Sequence, residues 1–238
     1  YLKEYCIRRH LNLSPLNSTL VIAIDGHAST GKSTLAKMLS RHFQIPFIDS
    51  GALYRGITLY ALENGFFKDE KLDQEALREA LDGLNLRFDT ETGCLYLNDE
   101  NVSQKIRLPQ VSDHVSNIAA LTMVRQFLLH QLRHMASENG LVIDGRDIGT
   151  VVFPNADYKF FFTAQSEVRA RRRYEELRAL GQKTTFEEVL NNLILRDQTD
   201  SSRKAAPLRK ADDAFEIDTS MVTTEQVFAD LLEKIDAK

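Results

Sequence analysis

A run of glycine, hydroxyl and lysine residues near the start of the chain has the spacing of a phosphate-binding loop. Residues 26–33 read Gly-His-Ala-Ser-Thr-Gly-Lys-Ser and match the pattern G-x-x-x-x-G-K-[ST]. An apolar stretch precedes them and apolar residues at helical spacing follow, so the loop joins a buried strand to a helix. In such loops the backbone amides wrap a polyphosphate, the lysine reaches its terminal phosphates and the last hydroxyl binds Mg²⁺. The predicted triphosphate-binding residues are Gly26, His27, Ala28, Ser29, Thr30, Gly31, Lys32, Ser33 and Thr34.

Polar and charged residues also follow two further apolar stretches that we predict to be strands. Ser50, Tyr54 and Arg55 come after one of them, and Arg146 and Asp147 come after the other. Ligands of open α/β sheets bind at the carboxyl ends of strands, so both groups are candidates for a second ligand. The alternative for Ser50 is the N-cap of a helix, a role that can coexist with ligand contact. The alternative for Arg146 and Asp147 is a structural ion pair, although the glycines on either side favour a site.

Arginines are concentrated in two predicted helices late in the chain. In the first, Arg171 and Arg172 have glutamates four residues later, so a solvated, self-paired face explains part of the run. Arg173 has no such partner, and we expect at least one arginine of this helix to bind phosphate.

The second arginine-rich segment places three charged residues on one helix face. Arg196, Asp200 and Arg203 have the spacing i, i+4, i+7, so they line up if the helix continues past residue 197. Asp200 would then hold both guanidiniums, an arrangement suited to binding a hydroxyl and a phosphate. The alternative is an ordinary salt-bridged helix end.

Composition limits the class of protein. The chain has 238 residues, of which 43% are hydrophobic and 27% charged, and a formal net charge of −4. These values suit one large α/β domain and disfavour the broad basic face of a nucleic-acid binder. Two cysteines without a disulfide pattern suit a reducing compartment, and we find no apolar run as long as a membrane span. We therefore expect a cytoplasmic protein with no membrane or nucleic-acid partner, and a monomer by default.

Alternation of apolar strands and helices predicts a parallel sheet with right-handed crossovers. Two short segments, 84–88 and 94–97, alternate at period two around a Thr92-Gly93 turn and predict an antiparallel excursion. The strands predicted for the main sheet are 20–24, 47–49, 141–145, 158–163 and 215–218. The predicted helices are 33–43, 52–62, 70–81, 111–135 with an end at Asn139-Gly140, 165–179, 185–197 and one from Thr224.

Together these segments resemble the cytidylate kinase family of nucleoside monophosphate kinases, from about residue 20 to the end of the chain. The segment 144–154, Asp-Gly-Arg-Asp-Ile-Gly-Thr-Val-Val-Phe-Pro, is the most specific, because a general phosphate-loop kinase has no reason to carry it. The other segments that carry the resemblance are 24–34, 49–55, 196–203 and 206–208. The pattern N-K-x-D and the pattern D-x-x-G, which are typical of switch GTPases, do not occur in the sequence.

The resemblance implies an α/β fold: a P-loop kinase core with a five-stranded parallel sheet flanked by helices, plus two smaller parts. One is a small antiparallel β-containing insert that binds the nucleoside monophosphate, and the other is a helical lid. The implied boundaries are 20–63, 126–165 and 205–238 for the core, 64–125 for the insert and 166–204 for the lid. Residues 1–19 lie outside the resemblance and would be an N-terminal extension.

The resemblance also implies transfer of the ATP γ-phosphate to CMP or dCMP with Mg²⁺. The implied acceptor-site residues are Ser50, Arg125, Arg146, Asp147, Arg196, Asp200 and Arg203. Ser50, Arg125 and Asp147 would face the base, Arg196 and Asp200 the sugar, and Arg146 and Arg203 the phosphate. Lys32, Arg173 and Arg203 would be catalytic, Ser33 would bind the metal, and Asp144 or Asp25 would hold metal-bound water.

The chemistry of the base agrees with this assignment. Cytosine carries an exocyclic amino donor, for which the carboxylate of Asp147 is a natural acceptor, whereas uracil would place a carbonyl oxygen there. His27 and Thr30 depart from many relatives and supply no required backbone group, so we expect them to be incidental. Two alternatives remain: a kinase for another small phosphate or hydroxyl acceptor such as UMP, and a non-catalytic ATP-binding regulatory module.

Overall fold

A parallel sheet of five strands forms the centre of the computed structural model, which describes residues 20–69, 71–90, 92–135 and 140–237. The extension predicted for residues 1–19 lies outside the described residues. The strands are β1 (Val21–Gly26), β2 (Phe47–Asp49), β3 (Phe67–Lys68), β4 (Lys71–Leu72), β5 (Leu86–Phe88), β6 (Leu95–Leu97), β7 (Glu100–Asn101), β8 (Leu141–Gly145), β9 (Tyr158–Thr163) and β10 (Phe215–Asp218). The five-stranded sheet has the order β10-β9-β1-β8-β2, and all of its strands are parallel, as predicted.

Helices connect these strands and cover both faces of the sheet. They are α1 (Lys32–Phe43), α2 (Ser50–Glu63), α3 (Gln74–Leu81), α4 (Pro109–Ala119), α5 (Thr122–Met135), α6 (Ser166–Ala179), α7 (Phe186–Ser202) and α8 (Thr224–Asp236). A short 3₁₀ turn spans Lys105–Arg107, and a π-helical turn spans Ile148–Val152. Within the described part of the chain, none of the helices is both long and apolar enough to cross a membrane.

Alternate residues of the central strand pack into two separate apolar layers. Ile22 and Ile24 join the layer formed with α1 and α8, whereas Ala23 joins the layer formed with α2 and α5. The register pairs Asp25 with Gly145 and Asp49 with Asp144, so β1, β2 and β8 end side by side. The three polar segments that follow these strands are therefore brought to one edge of the sheet, as ligand sites of α/β sheets require.

The segment between α2 and α4 contains the predicted antiparallel strands in shorter form. β5 pairs with β6, and β6 pairs with β7, a strand of two polar residues that has no alternating pattern by which to predict it. The helix predicted from residue 70 is wrong in its first turn, because β4 pairs there with β3. The side chain of Asp73 accepts a hydrogen bond from the Ala76 amide at 3.1 Å, so the helix begins at Gln74. Glu70 lies outside the described residues.

The single helix predicted over residues 111–135 is wrong, because the chain forms α4 and α5 with a break between them. The guanidinium of Arg125 donates to the carbonyl of Ala119, the last residue of α4, at 3.0 Å. The break contains neither glycine nor proline, so the sequence carries no local signal for it. The predicted end of this helix falls partly on Asn139, which lies outside the described residues.

Helices α6 and α7 pack on each other around a small apolar cluster of Ala170, Leu177, Val189 and Leu193. The predicted capping box at the start of α7 is confirmed: Thr185 and Glu188 each accept from the other's backbone amide. Helix α7 extends past residue 197, as the alignment of charged residues on one face required.

The arginines of α6 pair differently from the prediction. Arg172 donates to the carbonyl of Thr219 at 2.6 Å, and Glu176 pairs instead with Arg173 at 2.8 Å. The predicted pair of Arg172 with Glu176 is therefore wrong, because a contact with the loop after β10 takes Arg172 away from its own helix. The guanidinium of Arg171 lies over the ring of Phe186, 5.1 Å from its centroid.

Candidate active site

A cavity of about 680 Å³ lies over the carboxyl ends of β1, β2 and β8, between the phosphate-binding loop and helices α6 and α7. Its volume is that of a typical small-molecule site. Gly26 and His27 are not part of its lining. The predicted site residues that line it are Ala28, Ser29, Thr30, Gly31, Lys32, Ser33, Thr34, Ser50, Tyr54, Arg55, Arg125, Arg146, Asp147, Arg173, Arg196, Asp200 and Arg203.

The two glycines of the loop are required for different structural reasons. Gly31 has φ 87° and precedes α1 without any side-chain cap, so the first amides of α1 have no side-chain acceptor. Amides at such a helix start bind anions. Gly26 has φ 141°, and a Cβ there would lie 2.1 Å from the carbonyl oxygen of Phe162. Gly26 is therefore needed for close packing of β1 on β9, and Gly31 for the turn that exposes the amides.

The ammonium of Lys32 is buried and bound by its own loop. Its Nζ donates to the carbonyl of His27 at 2.6 Å and lies 3.4 Å from Oγ1 of Thr30. Burial, and then the positive charge of Arg146, lower the pKa of Lys32 from 10.5 to about 7. An amine with this pKa is only partly protonated near neutral pH and becomes fully charged when negative phosphates bind beside it. The cavity that Lys32 lines has room for such phosphates.

Oxygen atoms that suit Mg²⁺ lie at the start of α1 and the end of β8. The hydroxyl of Ser33 donates to Oδ2 of Asp144 at 2.5 Å, while Oδ1 of Asp144 is buried without a hydrogen-bond partner among the described residues. Burial, and then the charge of Asp49, raise the pKa of Asp144 to about 6. Mg²⁺ is commonly held by one or two carboxylates together with substrate phosphates, so these residues fit the metal.

Asp25, the other carboxylate predicted to hold metal-bound water, has a different position. Its two oxygens accept the backbone amides of Ile148 and Gly149, each at 2.7 Å. Asp25 therefore fixes the turn that follows Asp147 and does not line the cavity. In the described ranges, no cluster of three or more His, Cys, Asp or Glu residues could hold a metal by itself.

Asp147 is a buried residue of the cavity lining and contacts two arginines. It is 3% exposed, and its Oδ2 accepts a hydrogen bond from Nη2 of Arg125. Its Oδ1 lies 3.5 Å from Nη2 of Arg203, which is longer than a hydrogen bond. Nη2 of Arg203 has no hydrogen-bond partner in the described part of the protein. One oxygen of Asp147 and one nitrogen of Arg203 are thus available to a ligand.

Asp200 holds two guanidiniums, but one of them is not the predicted one. Nε of Arg146 donates to its Oδ2 at 3.0 Å, and Nη1 of Arg203 lies 3.7 Å from its Oδ1. The prediction that Asp200 holds Arg196 is wrong, because Arg146 reaches it from the turn after β8. Nε of Arg196 is buried without a hydrogen-bond partner among the residues described. Burial, and then Arg146, lower the pKa of Arg196 to about 10.

The start of α2 is capped by Asp49 and not by Ser50. Oδ1 of Asp49 accepts from the Ala52 amide at 3.0 Å, and its Oδ2 accepts from Arg55 at 2.6 Å. The hydroxyl of Ser50 donates instead to the carbonyl of Asp144 at 2.6 Å. The alternative in which Ser50 only caps the helix is therefore wrong, and Ser50 links the start of α2 to β8.

The cavity lining also includes residues that the sequence analysis did not select, among them Arg107 and Ser116. Arg107 comes from the 3₁₀ turn, and with Arg55 it holds the pKa of Asp49 below its usual range despite the opposing effect of burial. Ser116 comes from α4 and is 9% exposed. A serine on the buried face of an amphipathic helix is a signal that could have found Ser116, whereas no local pattern distinguishes Arg107.

The charges of the acceptor half do not cancel. Four arginines, Arg125, Arg146, Arg196 and Arg203, face the two carboxylates of Asp147 and Asp200. This leaves an excess of two positive charges, which matches a phosphate monoester dianion. The arrangement can bind a small phosphorylated molecule and bring its phosphate towards the loop around Lys32.

Comparison with known proteins agrees with this geometry. The sequence model of the family described as cytidylate kinase matches residues 22–237. The chain belongs to the cytidylate kinase family. The cytidylate kinase of Phocaeicola vulgatus is 47% identical over 222 residues, which cover 92% of this chain and 97% of that protein. The cytidylate kinase of Bacteroides thetaiotaomicron is 50% identical over 211 residues, which cover 87% and 92%.

The family resemblance and the fold class that the sequence predicts are thus confirmed. Among solved structures, a shikimate kinase from Bacteroides thetaiotaomicron aligns with 91% of this chain and 98% of its own. Its sequence identity is 18% and its TM-score 0.43, a similarity too low to carry an argument about function.

Proposed function

We propose that the protein transfers the γ-phosphate of ATP to CMP or dCMP, giving ADP and CDP or dCDP. The observation that carries the proposal is a single cavity lined on one side by a phosphate-binding loop and on the other by paired arginines and carboxylates. Membership of the cytidylate kinase family supports the choice of substrates. A regulatory ATP-binding module would have no need of the second, anion-binding half.

On the donor side, the loop amides and Lys32 bind the phosphates of ATP. The ammonium of Lys32 exchanges its bond to the His27 carbonyl for phosphate oxygens and then carries a full charge. Mg²⁺, held by the Ser33 hydroxyl with Asp144 nearby, would neutralise charge on the transferred phosphate. Arg173 lines the lid side of the cavity, where it would exchange its contact with Glu176 for the transferred phosphate.

On the acceptor side, Asp147 reads the base. Its Oδ1 accepts the exocyclic amino group of cytosine, while Arg125 holds the other oxygen and fixes the orientation of the carboxylate. Uracil would place a carbonyl oxygen against this buried carboxylate, with two acceptors facing each other. Ser50 and Tyr54 complete the base end of the cavity.

Arg146, Arg203 and Arg55 hold the acceptor phosphate, and Arg196 and Asp200 hold the sugar. The acceptor oxygen is already an anion, so the reaction needs alignment and charge neutralisation more than a strong base. The excess positive charge of the acceptor half supplies that neutralisation. Arg203, buried between Asp147 and Asp200, acts in both binding and transfer.

We further propose the domain boundaries that the sequence implies. Residues 20–63, 126–165 and 205–238 form the core, 64–125 the acceptor-binding insert and 166–204 a lid that closes over the loop and keeps water from the phosphoryl group. The protein acts in the cytoplasm as a monomer, on nucleotides and not on nucleic acid or membranes.

The test is an ADP-release assay with ATP and Mg²⁺ across CMP, dCMP, UMP and AMP. We expect rapid turnover with CMP or dCMP and much slower turnover with UMP and AMP. Faster turnover with UMP would replace the proposed acceptor by another small phosphate. No turnover with any acceptor, together with intact ATP binding, would favour the regulatory module.

A further inference from the structure

A histidine of the phosphate-binding loop contacts the lid. Nδ1 of His27, which is buried and makes no well-aligned hydrogen bond among the described residues, lies 3.2 Å from Oδ1 of Asp197 on α7, and Nη2 of Arg169 on α6 lies 2.7 Å from Oδ2 of the same carboxylate. The three residues, which we call the Asp197 clamp, thus join the loop to both lid helices. The expectation that His27 is incidental does not account for this contact.

Arg169 fixes the beginning of α6 to the loop. Arg169 is 3% exposed, and its guanidinium donates to the carbonyl of Ala164 at 3.0 Å and to the hydroxyl of Ser166 at 3.2 Å. A longer contact of 3.4 Å reaches the carbonyl of Ala28, the residue that follows His27 in the loop. Because these contacts hold Arg169 in place, Asp197 is the part of the clamp that connects α7.

His27 is held from two other directions. Its carbonyl accepts the ammonium of Lys32 at 2.6 Å, and its ring packs edge-on against Phe161 of β9 with centroids 6.3 Å apart. The imidazole therefore has a fixed position relative to the ammonium that binds ATP. Burial opposes the charge of Asp197, but its contacts with His27 and Arg169 hold its pKa below the usual range, so the clamp contains a carboxylate.

The residue beside Asp197 explains why the clamp matters to the reaction. Arg196 lines the cavity, and its Nε is buried without a hydrogen-bond partner among the residues that the structure describes. No group that the structure describes holds this nitrogen, so the place of Arg196 depends in part on how α7 sits over the loop. Besides the packing of Ala28 on the apolar cluster of α6 and α7, the contact between Asp197 and His27 joins this part of α7 to the loop.

We propose that His27 and Asp197 are positioning residues that hold the lid closed over the ATP phosphates and thereby place Arg196 in the acceptor half of the cavity. This inference rests on the proposed transfer from ATP to CMP. Its consequence is that phosphoryl transfer, and the exclusion of water from it, depend on a loop side chain that does not itself line the cavity.

The test compares two substitutions of the same residue. His27→Leu keeps an apolar side chain for Phe161 but has no donor, whereas His27→Asn carries an amide nitrogen on the same γ carbon that bears Nδ1. We expect His27→Leu to lose about tenfold in kcat, a size typical of one lost side-chain contact. The variant should also hydrolyse more ATP for each CDP formed. His27→Asn should retain kcat within about twofold.

A second substitution tests the partner. In the Asp197→Asn background, His27→Leu should lower kcat by a smaller factor, because the contact between the two residues is already weakened. Asp230→Asn, which removes a carboxylate from the Asp230–Lys234 pair on α8, is the matched control and should leave kcat unchanged. Melting temperatures of all variants separate loss of folding from loss of positioning.

Three outcomes would overturn the inference: an unchanged kcat in His27→Leu, an equal loss in His27→Leu and His27→Asn, or independent effects of the two positions. If the wild-type protein forms no CDP, the proposed function fails instead. In that case hydrogen exchange of α7 with a non-hydrolysable ATP analogue still decides the clamp. His27→Leu should then raise exchange in Phe186–Ser202 relative to wild type, and equal exchange would refute the clamp.

Discussion

Replacement of Asp147 by asparagine separates base recognition from all other functions of the cavity. The side chain keeps its size and one acceptor oxygen, but it loses the negative charge and gains an amide donor. If the amide nitrogen takes the place of Oδ1, two donors face each other when cytosine binds. With uracil, the same amide nitrogen would donate to the carbonyl oxygen of the base. We therefore expect Asp147→Asn to weaken CMP binding and to improve UMP binding relative to it.

The size of the effect follows from the contacts. A good polar contact to a base edge discriminates by about 1–3 kcal/mol, which corresponds to about 5- to 150-fold in Kd for CMP. Loss of the carboxylate also removes a negative charge beside Arg125 and Arg203. Both arginines then attract any nucleoside monophosphate more strongly. That second effect is the same for CMP and UMP, so the ratio of their dissociation constants isolates the base.

Isothermal titration calorimetry with CMP, UMP and ATP measures the three constants on one preparation. Asp200→Asn is the matched control, since it also removes a carboxylate that contacts Arg203 but lies beside Arg146 and not at the base end. Asp200→Asn should change the CMP and UMP constants by the same factor. Removing one partner of a buried ion pair costs about 3–5 kcal/mol of stability, so melting temperatures must be measured and the titrations made well below them.

The reasoning would be refuted if Asp147→Asn changed the CMP and UMP constants by the same factor, or weakened ATP as much as CMP. Either result would mean that Asp147 supports the cavity and does not read the base.

Two further predictions concern Lys32. Lys32→Ala should lose at least about a hundredfold in kcat without a large fall in melting temperature, because the ammonium stabilises charge that develops in the transition state, and near-normal turnover would contradict the mechanism. Since the pKa of Lys32 is lowered to about 7, the amine is mostly neutral at pH 8 in the free enzyme, and phosphate charges raise its pKa when ATP binds. ATP binding at pH 8 should therefore take up close to one proton. The uptake should fade below pH 6 and be absent in Lys32→Ala. Calorimetry in two buffers of different ionisation enthalpy measures it.

The core of the fold could be predicted because its signals are local. Five apolar runs of strand length, four of them followed by a loop and a helical pattern, allow few arrangements other than a parallel sheet. The break between α4 and α5 could not be predicted, because it depends on Arg125 turning back to the Ala119 carbonyl and not on glycine or proline. The short strand β7 has only two residues, too few for an alternating pattern.

The residues of the candidate site could be selected from the sequence, but their partners could not. Helical spacing assigned Asp200 to Arg196, whereas Arg146, 54 residues earlier in the chain, takes that place in the structure. Likewise, Ser33 contacts Asp144 and Asp25 binds the amides after Asp147, both across more than a hundred residues. Spacing shows which residues share a face of one element, whereas these pairs join different elements.

The pairing of Asp200 with Arg146 changes how the acceptor half would work. If Asp200 held Arg196 and Arg203, these two arginines would share a carboxylate from their own segment. Instead, Asp200 joins the end of α7 to the turn after β8, and Arg203 completes the link by reaching towards Asp147. Arg196 then keeps its Nε without a hydrogen-bond partner among the described residues, as does Arg55, so a ligand can gain a hydrogen bond from it. Because Arg196 sits beside the contact between α7 and the loop, the proposed clamp would couple binding of the acceptor to closure of the lid over ATP.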